Sequence, residues 1–480
     1  MELIFIPILT AFISAWTGKW SRWVALFGSA VTGLFLLYFY MNFNPQAGLQ
    51  WQWDKIWFSS AIHFHTGIDG ISLILLILTN VLSPLILLTA FNKKEDIPLL
   101  FALIVGMQGA LNGVFVARDG LMFYIFWELA LIPIYFIAGL WGEGNRFKTT
   151  LRFFIYTFIG SLAMLASLIY LFSKTPDLSS FSYEALVAVK LDENEAFWVG
   201  MGLLLAFAVK IPLMPFHGWQ PSTYTEAPAA GTMLLSGIML KMGLYGLLRW
   251  FMPLAPEALP TFVPFIVSAG IVGVIYGALI AIKQTDMKRI VAYSSLSHVG
   301  LIAAGMVVAG ETGIQGGLLQ MFSHGVNAVG LFYAIDIIER RNNTRMLDTL
   351  GGMAGQSRSF AVFFLIIVLG AMAVPFTNGF PGELLLLKSV FSYHPIWGIL
   401  AGITIILCAV YMLRMYQFSM LGESRGTSFS ALQWHEWVAL AGIVMMIILF
   451  GLFPQKLLDI SAPAVKDLLL LIQNTKEVIS

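Results

Sequence analysis

Glu128, Lys210, Lys241, His298, His324 and Glu383 each stand inside a stretch of otherwise apolar sequence. Two carboxylates, two amines and two imidazoles are the groups that take up and release protons, and none is placed where water is expected. A charged side chain at a bilayer centre costs about 2.5–3.5 kcal/mol on insertion scales. Lys210, within Ala196 to Phe216, and Lys241, within Ala229 to Trp250, must therefore be paired, hydrated or used. The chemistry this set suggests is charge translocation.

Each residue has its own setting. Glu128 lies in FYIFWELALIPIYF, where a carboxylate needs a facing cation. Lys210 is the expected mate, and a structural role for the pair is compatible with proton exchange. Lys210 precedes Pro212 by two residues, at a helix break whose freed carbonyls and waters can solvate an ammonium. Gly237 and Tyr245 flank Lys241 at four residues on either side and share its helix face. His298 follows Ser294 by four residues, and His324 stacks between Gln320 and Asn327, so each heads a polar stripe on an apolar helix. A single such histidine reads as a satisfied core residue, whereas two beside buried lysines read as a relay. Glu383 opens the second half of an interrupted span, where a helix N-terminus favours an anion or a capping carboxylate. Lys388, five residues on, is its partner or an interfacial lysine. The expectation is a Glu128–Lys210 electrostatic pair, continued by Lys241, His298, His324 and Glu383 as a hydrated row in the membrane plane.

The elements that hold these groups follow from composition. Of 480 residues, 58% are hydrophobic and 11% charged, against roughly 25% charged in an ordinary globular domain. About 20 predominantly apolar residues make a spanning helix. About fourteen such segments follow one another here, so the fold class is an all-α polytopic membrane protein. The first segment, Leu3 to Trp16, has no basic flank or small-residue cleavage site and reads as a retained helix. A formal charge of +1 says nothing about partners, and nucleic acid is not among those expected. The single cysteine, Cys408, excludes an intrachain disulfide and an all-cysteine iron–sulfur cluster. His63 and His65 lack a nearby third ligand and read as an interfacial loop, not a metal site. Gly270, Gly273 and Gly277 read as small-residue helix contacts.

Of the 27 Lys and Arg residues, sixteen fall in loops after odd-numbered spans, Lys19, Lys93, Lys94, Arg146, Lys288 and Arg345 among them, and eight on the opposite side. The positive-inside rule puts the richer side in the cytoplasm or matrix and both termini outside. Two spans look broken: the seventh, by Pro212, Pro215 and Pro221, and the twelfth, by Pro375, Asn378, Gly379, Pro381 and Gly382. Broken spans in corresponding positions of two halves point to inverted repeats around a cavity. The expected division is residues 1–97 as helices one to three, 98–250 and 261–418 as two inverted five-helix repeats, and 435–480 as the last helix and tail.

The run FAVKIPLMPFHGWQPSTYTEAPAAGTMLLSGIMLKMGLYGLLR, together with FWELALIPIYF, QTDMKRIVAYSSLSHVG, QMFSHGVNAVGLF and PFTNGFPGE, closely resembles the antiporter-like subunit M family of respiratory complex I, called subunit 4 in mitochondria. The resemblance covers roughly residues 65 to 455. It implies a fourteen-helix fold with two inverted five-helix repeats, in the proton-pumping membrane arm of NADH:quinone oxidoreductase. It implies that Glu128, Lys210, Lys241, His298, His324 and Glu383 carry the protons, Glu383 standing where the sister subunits L and N usually have lysine. It also implies that this chain holds no cofactor, with NADH, FMN, iron–sulfur clusters and quinone in partner subunits. L and N would flank it in a bacterial inner membrane or an equivalent energy-transducing membrane. Gln220, Ser222 and Tyr224 depart from the family pattern, while Glu226 is retained. Sister architectures with the same lysines are Mrp-type cation/proton antiporters and energy-converting hydrogenases; Glu383 favours complex I.

Overall fold

Hydrocarbon offers no partner to a backbone N–H or C=O, so a chain this apolar must close its hydrogen bonds within helices. The computed structural model describes residues 1–92, 97–176, 180–308, 310–425 and 429–477; Lys93, Lys94 and Ser480 lie outside them. Eleven helices among the described residues are long and apolar enough to cross a membrane. In chain order the first elements are α1 (Glu2–Trp16), α2 (Ser21–Met41), a hairpin of β1 (Gln50–Ser59) and β2 (Ile62–Ile68), α3 (Gly70–Thr89) and α4 (Pro98–Val116). Next come α5 (Gly120–Leu129), α6 (Leu131–Trp141), α7 (Arg146–Lys174), the short α8 (Tyr183–Val187), α9 (Glu193–Lys210) and α10 (Gln220–Glu226). Then α11 (Ala229–Leu234), α12 (Leu240–Gly246) and α13 (Met252–Leu254) run on as one span, joined by π-helical turns at Leu235–Met239 and Leu247–Phe251. The second half holds α14 (Leu259–Lys283), α15 (Met287–Val307), α16 (Glu311–Asn342), α17 (Met353–Gln356), α18 (Arg358–Ala371), α19 (Gly379–Tyr393), α20 (Pro395–Met420), α21 (Trp434–Leu452) and α22 (Gln455–Glu477).

The eleven spans, with α1 and the interrupted pairs α9/α10 and α18/α19, occupy the fourteen apolar stretches read from the sequence. Both expected breaks are present: α9 ends on Lys210, and Met372 to Asn378 separate α18 from α19. A third interruption had not been anticipated. Pro133 has no N–H to offer Leu129, and the fifth span pauses at Ala130, two residues after Glu128. The antiparallel hairpin was likewise read only as a loop.

Polar groups inside the bundle are tied to one another across helices. Asn112 donates to the Leu3 carbonyl at 2.7 Å, Asn80 donates to Asn112 at 2.9 Å, and Gln108 donates to Asn80 at 2.7 Å, linking α1, α3 and α4. Glu436, wholly buried at the start of α21, takes bonds from Arg340 at 3.0 Å and Arg341 at 2.6 Å on α16. Lys288, also buried, lies 3.4 Å from Glu339 and 3.9 Å from Glu143, while Arg345 joins Glu143, Glu339 and Asp286. This network ties the loop after α6 to the ends of α15 and α16.

Small residues set the closest helix approach. A Cβ on Gly270 would lie 2.5 Å from the Gly300 carbonyl oxygen, and one on Gly300 2.5 Å from that of Gly270, so α14 and α15 meet backbone to backbone. Gly277 repeats the contact one turn pair along, against Tyr293 and Ser297; Gly273 does not, with only Met214 near it. Gly300→Leu should part these helices at a cost of about 1–3 kcal/mol, seen as a lower melting temperature of the purified complex. An unchanged melting temperature would show that the pair tolerates separation. In the hairpin, the 2.6 Å bond from His63 Nδ1 to Asp54 holds the imidazole's pKa above its usual value, with burial opposing. The stabilisation is full below the unfolded histidine value of about 6.5 and is lost as pH rises through the raised native one. Amide protection factors in β1 and β2, corrected for the intrinsic rise of exchange with pH, should therefore fall over that window, and Asp54→Asn should remove the fall.

Candidate proton-translocation site

The polar row gathers around one buried contact between the two halves of the membrane domain. Lys241 opens no exposed surface at all, and its Nζ donates to the Ser236 carbonyl at 2.5 Å and meets His324 Nδ1 at 2.9 Å. Ser236 lies in the π-helical turn Leu235–Met239, which ends where α12 begins. His324 Nε2 lies 3.0 Å from Ser295 Oγ on α15. With an ammonium donating to Nδ1, neutral His324 carries its proton on Nε2 and donates to Ser295; a proton passed from Lys241 gives an imidazolium with both nitrogens already partnered.

His298 follows, its ring centroid 6.1 Å from that of His324. Ser294, Ser295, His298, Gln320, His324 and Asn327 line a cavity of about 20 Å³, room for about one water. His298 Nδ1, Gln320 Oε1 and Asn327 Oδ1 are buried and without protein partners, which suits a hydrated cavity. His298 Nε2 is 3.6 Å from Cys408 Sγ on α20, and one turn later Tyr411 donates to Ser294 Oγ at 3.0 Å. Glu383 is 3% exposed, with Oε2 buried and unpartnered. No hydrogen bond joins it to either histidine among the described residues. The fifth residue of α19, it lies beyond the first turn, so the capping role read from the sequence is not its own; Asn378 holds the N-cap position. Lys388 is exposed and makes no ion pair with Glu383 among the described residues.

In the first half, Lys210 is 2% exposed and its Nζ has no hydrogen-bond partner. It sits 5.2 Å from the centroid of the Trp127 ring, a cation–π contact. Lys210 and Glu128 interact electrostatically, as expected of the pair, without a direct ion-pair contact, and the indole one residue before Glu128 lies beside the ammonium. Glu128 itself is only half-buried. Lys210 is near the second lysine's helix, since a Cβ on Gly243 would lie 3.2 Å from Lys210 Cβ. Gln220, one of the departures from the family pattern, donates to the Ala292 carbonyl at 2.9 Å and ties the broken seventh span to α15; Tyr224 is fully buried, and Glu226 accepts from Thr149 at 2.6 Å.

Five of the six residues are buried inside the bundle, not on lipid-facing surfaces, and Lys241, His324 and His298 are brought together directly. Reading the sequence missed Tyr411 and weighed Cys408 only as a thiol. Their three-residue spacing on one helix face was the available signal, but nothing local says which helix that face meets.

A fourteen-segment membrane domain with paired broken spans and buried lysines defines an antiporter-like ion-translocating subunit. Residues 117–408 match the family described as the NADH:quinone oxidoreductase/Mrp antiporter membrane domain, and the chain belongs to that family. Within it, the chain is similar to NADH-quinone oxidoreductase subunit M of Rickettsia typhi, 36% identical over 93% of this chain and 92% of the relative. A chain of respiratory complex I from Thermus thermophilus superposes with a TM-score of 0.92 at 28% identity, covering 98% of this chain and all of that one. A chain of the Mrp complex from Dietzia sp. shares the fold, with a TM-score of 0.87 at 19% identity over 98% of both chains.

Removing the acceptor of Lys241 tests the central contact. His324→Leu leaves the amine with Ser236 alone and should destabilise by about 1–3 kcal/mol, while His324→Gln, which keeps an acceptor, should recover most of the loss in thermal melts of the purified complex. Equal melting of both variants would remove the hydrogen bond from the balance of stability.

Proposed function

We propose that this chain is a proton-translocating membrane-arm subunit of an NADH:quinone oxidoreductase, driven by electron transfer in other subunits. The observation that carries this reading is the Lys241 Nζ to His324 Nδ1 contact at 2.9 Å, buried in an otherwise apolar bundle and opening onto His298 and a water-sized cavity. Glu128 and Lys210 form the input: a proton gained or lost at the half-buried carboxylate changes the field at an ammonium that has no hydrogen bond to hold it. A shift in Lys210 then biases Lys241, whose proton has a ready acceptor in His324. His298 and the cavity water carry it on, and Glu383 receives it at the far end of the row.

The roles of these six residues, the division into repeats at 98–250 and 261–418, and the placement of both termini outside an inner membrane are parts of the same proposal. So are flanking by subunits of the L and N type and the siting of NADH, FMN, iron–sulfur clusters and quinone in partner chains. The chain's own contribution is to hold and move protons at named atoms. Supporting the complex I reading over an Mrp antiporter are the relatives of subunit M type at 36% identity and the acid at Glu383.

Proton uptake by inverted membranes, measured per NADH oxidised and beside native gels that report assembly, tests this. Lys241→Ala and Glu128→Gln should each lower pumping several-fold in an assembled complex. Glu383→Gln should pump poorly while assembling fully, and Glu383→Lys should restore part of the activity. Full pumping by assembled Lys241→Ala would overturn the reading.

A further inference from the structure

A cavity of about 580 Å³, remote from the proton row, opens at the hairpin end of the molecule between α3, α8 and α22. Its polar lining comes from Asp69, Arg118, Tyr183, Glu184, Arg249 and Asp467, with Lys190 beside them, and its remaining wall is largely aliphatic. α22 forms one side. Leu457, Ile460, Val465, Leu468 and Ile472 are buried along it, where it packs on α3 and α16, while Lys456, Lys466 and Asp467 are exposed. Asp69 caps the start of α3 and Arg118 lies between α4 and α5, so the cavity sits at the ends of spans, at headgroup level.

Its donors are under-used. Arg118 donates to Glu184 at 2.6 Å, and Arg249 donates to Asp69. A guanidinium has five N–H donors. Arg118 Nε and Arg249 Nε are buried without partners, as is the hydroxyl of Tyr183, the ring between the two guanidinium groups, with Arg118 4.2 Å and Arg249 5.9 Å from its centroid. Arg249 is 6% and Tyr183 4% exposed, so these are orphan donors in a site that solvent does not freely satisfy. Three cations and three carboxylates line the cavity, so its walls are neutral overall while its donors converge on one side.

We infer that this cavity binds the headgroup of a zwitterionic phospholipid with a primary ammonium: its phosphate accepts from Arg118, Arg249 and Tyr183, its ammonium donates to Asp467 and Glu184, and its glycerol and first methylenes fill the aliphatic wall. A phosphate with two charge-assisted arginine contacts is held strongly in such a site. An anionic headgroup leaves the carboxylates unanswered, and a quaternary ammonium has no N–H to give them.

The test uses the intact complex, stripped of lipid in detergent and incubated with an equimolar mixture of phosphatidylethanolamine, phosphatidylglycerol and phosphatidylcholine, after which retained lipid is counted per complex by mass spectrometry. Wild type should retain one phosphatidylethanolamine more than Arg118→Gln, and Asp467→Asn should lose the preference for ethanolamine over choline. Asp467 is on the exposed side of α22, so its variant stays informative if Arg118→Gln fails to assemble. Equal retention by wild type and both variants, a variant-sensitive lipid that is phosphatidylglycerol, or displacement by millimolar inorganic phosphate would each overturn the assignment.

Discussion

The cost of a charge in hydrocarbon governs this molecule. An ammonium at mid-membrane without a partner is worth several kcal/mol against folding, and breaking a buried pair costs more than never having made it. The chain answers differently at its two lysines. Lys241 receives a backbone carbonyl and an imidazole; Lys210 receives an aromatic face and no hydrogen bond. The first amine is secured and the second is held loosely. A relay needs that inequality, because a proton held equally well everywhere has no reason to move.

The interruptions in the helices follow from the same cost. Each lysine is found beside a helix defect, where the backbone can turn a carbonyl toward a side chain: the end of α9 for Lys210 and a π-helical turn for Lys241. Glu128 stands next to the pause caused by Pro133. Three of the six groups in the row thus stand at a local failure of the regular hydrogen-bond ladder, and close contacts pack against two of them, Gly243 on Ile211 and Lys210, and Gly237 on Val329.

Much of this was legible in the sequence because membrane proteins obey few rules strictly. Fourteen apolar stretches offer fourteen places for a span, and clustered prolines mark the seventh and twelfth as broken. The buried charges announced themselves as exceptions. What stayed hidden depended on partners distant in the chain. Trp127 reads as one more aromatic in an apolar run, yet its ring lies beside the Lys210 ammonium in addition to the field of Glu128. Asp69 and Arg249, 180 residues apart, form a buried pair that no local pattern announces. A single proline in the fifth span, Pro133, carried too weak a signal beside the clusters at the other two breaks. The π-helical turns leave no composition signature at all.

The cavity between His298 and His324 is about 20 Å³. A space of that size admits about one water at a time. A proton needs no more room than that, since it travels by exchange of bonds and not by displacement of a body, so the narrowness of the bundle at this point is no obstacle to it.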